Sequence, residues 1–180
     1  MYVLWMSAIR KIFLASMLCG SPLAAAELTI TLRDGNPLDI LSIRNNGCPV
    51  SDGTLIFDFT TSQADVFLDT VRGGPGSRDP LAVKVMNGDI AVHPVADGAQ
   101  ILTIDVRTLN EGSIAQVSMD MDDGLGTRGT AQVEVYGSEL KGAVATLITG
   151  DTRHMGIFDA NGIARIGGYD EDGCGVMLIS

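Results

Sequence analysis

From Glu27 onward, apolar and polar residues alternate with a period of two, and this pattern limits the fold more than any other feature of the chain. Leu28, Ile30 and Leu32 alternate with Thr29, Thr31 and Arg33, and Leu102, Ile104 and Val106 alternate with Thr103, Asp105 and Arg107. Val117, Met119 and Met121 alternate with Ser118, Asp120 and Asp122, and Val133 and Val135 with Gln132 and Glu134. Successive side chains of an extended strand point to opposite faces, so each run reads as a strand with one buried and one wet face. No segment shows the 3.6-residue apolar spacing of an amphipathic helix.

Turn-forming clusters separate the runs: Asp34-Gly35-Asn36-Pro37, Asn45-Asn46-Gly47, Asp52-Gly53, Asn87-Gly88-Asp89, Asp97-Gly98, Asn110-Glu111-Gly112 and Asn161-Gly162. Strands are expected near residues 28–33, 39–44, 54–60, 66–71, 82–86, 90–95, 100–107, 114–121, 131–136 and 143–149, with a last hairpin over 155–166. Nine or ten short antiparallel strands with wet faces imply a β-sandwich, immunoglobulin-like or related, with a β-barrel as the alternative. Gly73-Gly74-Pro75-Gly76-Ser77-Arg78-Asp79-Pro80 reads as the one long irregular loop.

The residues before Glu27 have a different character. Arg10-Lys11 precede an apolar run from Ile12 to Leu18, then Gly20-Ser21-Pro22 and the small-residue site Ala24-Ala25-Ala26. This is the layout of a cleavable signal peptide over residues 1–26, with Met1 or Met6 as initiator. The apolar run is well short of the ~20 residues that span a bilayer. Cys19 invites comparison with lipoprotein processing, but Leu18 and Ser16 stand where that processing wants a small residue and a leucine. The expected product is a single domain, residues 27–180, in the periplasm or outside the cell.

Charge narrows the partners. The chain carries twelve basic and 22 acidic residues, net −10. Two of the basic residues and none of the acidic ones precede Glu27, which leaves ten against 22, net −12. Nucleic acid and anionic lipid are disfavoured because phosphate binding needs clustered Lys and Arg. Cations, or an unidentified protein or glycan on a cell surface or envelope, are compatible partners.

Cys48 and Cys174 are the cysteines left after cleavage. In an oxidising compartment a lone distant pair is most simply one disulfide, here closing a loop of 174 − 48 = 126 residues. Chain entropy values such a closure at about 5 kcal/mol at most.

For metal chemistry, Asp120, Asp122 and Asp123 are the candidate ligands, since hard carboxylate oxygens gathered at a strand end suit Ca²⁺. An EF-hand beginning at Asp120 fails, because Gly124 and Ala131 stand where acidic or amide ligands are required. Asp170-Glu171-Asp172-Gly173 is a second acidic cluster, and Asp159-Ala160-Asn161-Gly162 has hairpin-turn chemistry. No catalytic residue is assigned. His93 falls in an alternating run and His154 in an apparent loop. A Gly-x-Ser-x-Gly elbow, His-Glu-x-x-His and phosphate-cradling loops are absent.

Several stretches resemble exported bacterial "aggregation factor core" proteins: residues 28–34, Ile43-Arg44-Asn45-Asn46-Gly47-Cys48, residues 52–60, Asn87-Gly88-Asp89, residues 117–123, and Val135-Tyr136-Gly137-Ser138-Glu139-Leu140-Lys141-Gly142-Ala143. They follow one order along most of the chain. The resemblance implies extracellular adhesion of a calcium-dependent kind, points to Asp120, Asp122 and Asp123 for any calcium role, and fits a Cys48–Cys174 disulfide. It carries no catalytic residues. The leading expectation is therefore a non-enzymatic binding or adhesion domain assisted by calcium. The alternatives are a metal-free structural protein of the cell envelope and a secreted hydrolase built around His93 or His154.

Overall fold

The computed structural model describes residues 27–35, 38–74, 76, 79–124 and 135–167. The expected signal segment over residues 1–26, Cys174 and the acidic cluster at 170–173 lie outside the described residues. Within them the protein is all-β, without a helix, and its strands are paired antiparallel in two five-stranded sheets and a two-stranded one. It is a β-sandwich and not a closed barrel.

The first sheet runs β12(Ile163–Gly167), β1(Glu27–Arg33), β2(Asp39–Asn45), β8(Ile114–Met119), β5(Lys84–Asn87). The second runs β11(Thr152–Ile157), β10(Val144–Thr149), β3(Val50–Asp58), β7(Ile101–Leu109), β6(Asp89–Val92). The inward alternates of both sheets form the core: Leu28, Ile30, Leu41, Ile43 and Val117 from the first, and Leu55, Phe57, Leu102, Ile104 and Leu147 from the second, all fully buried. Phe57 and Phe59 stack with centroids 6.5 Å apart. Period-two patterning sets this register, since a slip of one residue would turn every apolar side chain outward.

The chain passes between sheets at tight corners. Gly88, at φ 101°, turns β5 into β6 across the sandwich edge. At the other edge, the expected 155–166 hairpin divides between the sheets: β11 pairs with β10, while β12 pairs with β1. Gly156 permits that corner, because a Cβ there would overlap the backbone carbonyl of Arg165. The turn between them follows its sequence signature, with Asp159 Oδ1 accepting from the Asn161 and Ile163 amides at 2.8 and 3.1 Å. Those two bonds, the Asn161 one foremost, hold the Asp159 carboxyl below the usual carboxylate range.

Several local expectations are corrected. The 66–71 run forms only β4(Phe67–Leu68). The 114–121 run breaks at Asp120 into β8 and β9(Met121–Asp122), which changes partner from β2 to β4. His154 lies within β11, half-buried and opposite Leu147, instead of in a loop. Of the 131–136 strand, residues 131–134 fall outside the described set, and Val135 and Tyr136 are not in a strand.

Candidate functional site

The break at Asp120 creates the most chemically unusual place in the molecule. Up to Met119, β8 pairs with β2, ending at the Asp39–Met119 pair. Beyond it the chain pairs with β4, Phe67 opposite Asp122 and Leu68 opposite Met121, and the Asp69 amide donates to the Asp120 carbonyl at 3.0 Å. This switch brings Asp69, Asp120 and Asp122 together. One oxygen from each lies within 4.8 Å of the others, and the residues are 0%, 4% and 1% exposed. The expectation of a wet face here is therefore corrected: Asp120 and Asp122 are interior, because the 66–76 segment folds over the face they would have shown to water.

Gly76 completes the enclosure. A Cβ at that position would overlap Asp122 Oδ2 and the Asp69 carboxyl group. The start of the same loop is pinned by Asp97, whose Oδ1 accepts from the Thr70 and Val71 amides at 2.8 and 3.0 Å. Gly74 lies so close to that carboxylate that a side chain there would strike it. Gly74 and Gly76 therefore let backbone approach carboxylates closely, a use of glycine that a Gly/Pro-rich composition does not reveal.

A fourth buried carboxylate borders the group. Asp39, 1% exposed, accepts from the Met121 amide at 2.8 Å through Oδ2 and from the Gly35 amide at 3.1 Å through Oδ1. Burial is the main cause that raises its pKa to about 7, against the two backbone bonds and with help from Asp34 and Asp122.

Of the sequence candidates, Asp120 and Asp122 enter the cluster and Asp123 does not. Asp123 is half-buried beside Glu139, whose pKa is raised first by burial and then by the Asp123 charge, against the bond it accepts from the Tyr136 amide. Asp69 was missed. Its signal was an acid directly after the apolar run Val66-Phe67-Leu68, but nothing local pairs that run with Asp120 some fifty residues later.

Of the expected Cys48–Cys174 pair, only Cys48 falls among the described residues. Cys48 is buried at 3% exposure. Its carbonyl accepts from Asn45 Nδ2 at 2.7 Å.

The histidines part company. His93 Nε2 lies 2.9 Å from Asp105 Oδ2, and that bond is the chief cause holding Asp105 below the usual carboxylate range. His93 also lines a cleft of about 300 Å³ with Thr70, Val83, Val92, Pro94 and Val95. The Thr70 hydroxyl there is 3.3 Å from Asp97 Oδ1, to which it donates. Comparison with protein-family models, curated proteins and solved structures finds no match to this chain.

Proposed function

We propose that the protein is an exported, non-enzymatic binding or adhesion domain whose sandwich is completed by a divalent cation, calcium by donor chemistry, held by Asp69, Asp120 and Asp122. The observation that carries this reading is three interior carboxylates with ligand atoms within 4.8 Å. Two oxygens bound at about 2.4 Å to one ion can be no more than about 4.8 Å apart, so the spacing fits Ca²⁺. The donors are all hard oxygens, the kind Ca²⁺ prefers, and a cation favours the ionised form of carboxylates taken out of water. Gly76 lets the backbone come up against the Asp69 and Asp122 carboxylates. The bound ion would supply structure, tying β4 to β9 and the 66–76 segment to both. The resemblance to adhesion proteins, the net charge of −10 and the signal-like first 26 residues support the same reading, and so does the proposed Cys48–Cys174 disulfide.

Calorimetric titration of EDTA-treated mature protein with calcium is expected to show saturable binding. At a hundredfold excess over Kd the gain is about 2.7 kcal/mol, or roughly 5–11 °C in Tm. Asp69→Asn should weaken binding by tenfold or more, while Asp123→Asn leaves it unchanged. Absence of both heat and Tm shift sinks the proposal.

The hydrolase reading draws on the His93–Asp105 pair beside its cleft, an arrangement able to orient a base. Turnover of small ester substrates that disappears in His93→Ala would favour it over the binding role, and absence of turnover would remove it.

A further inference from the structure

The chain contains three Asn-Gly dipeptides: Asn46-Gly47, Asn87-Gly88 and Asn161-Gly162. Each is open to the same intrinsic reaction. The glycine nitrogen, once base has taken its proton, attacks the side-chain carbonyl carbon of the asparagine, and glycine has no Cβ to hinder the approach. The attacking nitrogen must be free of hydrogen bonds and within reach of water. The fold therefore decides which dipeptide reacts.

Side-chain restraint does not separate the three. Asn46 Nδ2 donates to Thr29 Oγ1 and Asn87 Nδ2 to the Ile114 carbonyl, each at 2.8 Å, and the Asn161 side chain bonds the Asp159 carboxylate. The amide that follows does separate them. The Gly47 amide donates to Asn45 Oδ1 at 3.0 Å and the Gly162 amide to the Asp159 carbonyl at 3.1 Å, and both glycines are buried. Gly88 is exposed, and its amide has no hydrogen-bond partner among the described residues. Its φ of 101° favours glycine, and a Cβ there would lie 2.7 Å from Ala115 Cβ. The corner that carries the chain from one sheet to the other thus requires the residue that exposes Asn87 to attack.

We propose that Asn87 is a site of spontaneous deamidation and isoaspartate formation. The Gly88 nitrogen bonds to Asn87 Cγ, the Cγ–Nδ2 bond breaks, and ammonia leaves a succinimide ring. Water then adds to one of the two ring carbonyls and opens it. One side-chain amide and one water become one carboxylic acid and one ammonia, with no change of oxidation state. Opening on one side gives aspartate, and on the other isoaspartate, which carries an extra methylene in the main chain. Either product withdraws the donor from the Ile114 carbonyl and sets a carboxylate close to Asp89. β5 lies at the end of its sheet with β8 as its sheet neighbour, so the change loosens an edge strand. The inference does not depend on the cation, which sits among β4, β9 and the 66–76 segment.

Incubation of the mature protein at mildly alkaline pH, in buffer and in urea, with peptide mapping over time, tests it. In buffer Asn87 should convert about five- to tenfold faster than Asn46 or Asn161, the rate equivalent of one net hydrogen bond on the nucleophile. In urea the three should convert at similar rates, because the dipeptide is the same. Hydroxylamine, which cleaves at succinimides, should cut the aged native protein between Asn87 and Gly88. Asn87→Gln should abolish that cut, since the larger ring forms slowly. Native conversion led by Asn46 or Asn161, equal rates at all three, or no conversion at Asn87 overturns the proposal. The same preference for Asn87 in urea also overturns it, by assigning the selectivity to neighbouring sequence instead of the fold.

Discussion

Replacing Asn45 with alanine is expected to destabilise the domain by about 3–5 kcal/mol, although the change removes little apolar area. Asn45 is fully buried at the end of β2 and acts as a bracket for three segments. Its Nδ2 donates to the carbonyls of Cys48 and Leu109 at 2.7 and 2.8 Å, and its Oδ1 accepts from the Gly47 amide at 3.0 Å. Its own amide and carbonyl engage Ser113 and Gly112. Truncation leaves two interior carbonyls and an amide to find new partners, each costing about 1–3 kcal/mol when it fails to do so. Urea unfolding should show the midpoint falling by about 1.5–2 M with little change in slope. Asn45→Asp should fare no better, because a carboxylate would face two carbonyl oxygens. A variant within about 1 kcal/mol of wild type would show that the bracket relaxes freely. The same residue fixes the backbone from which Cys48 is presented, so the variant should also make the proposed Cys48–Cys174 disulfide easier to reduce.

In EDTA, Asp39 should make stability fall as pH rises from about 4 to about 7. Its native pKa is raised to about 7 while the unfolded chain titrates near the ordinary aspartate value of 3.8. Below the unfolded value both states hold the proton, and the raised pKa costs nothing. Between the two values only the native state holds it, so each pH unit favours unfolding by about 1.4 kcal/mol. Above the native value both are ionised and the penalty is constant, at most about 4 kcal/mol. Asp39→Asn removes this slope. It keeps an acceptor for the Met121 amide and sets an NH₂ against the Gly35 amide, a pH-independent loss of about 1 kcal/mol. The variant should therefore be less stable than wild type at pH 4 and more stable at pH 7.5. Parallel curves across that range would dismiss Asp39 as the source. Calcium should flatten the wild-type slope, since a cation beside Asp122 favours the ionised form.

The alternation from Leu28 to Leu32, and again from Leu102 to Val106, states its own structure, because strand faces are set by neighbours in sequence. The same is true of the Asn87-Gly88-Asp89 and Asp159–Gly162 turns, whose chemistry is complete within four residues. These local rules determined an all-β chain with wet faces and a sandwich as its natural layering. They failed at Asp120 and Asp122, where the alternation continues but both faces are covered. Whether an outward residue meets water depends on what crosses above it, and between the 66–76 segment and Asp120 the chain runs through β5 to β8 and changes sheet twice. Asp69 joined the site, and Asp123 left it, for the same reason. The sequence by itself thus determined the strands, their inward faces and the acidity of the stretch at 120–123. Only the tertiary structure decided which carboxylates meet, because their convergence depends on pairing between β4 and β9, some fifty residues apart.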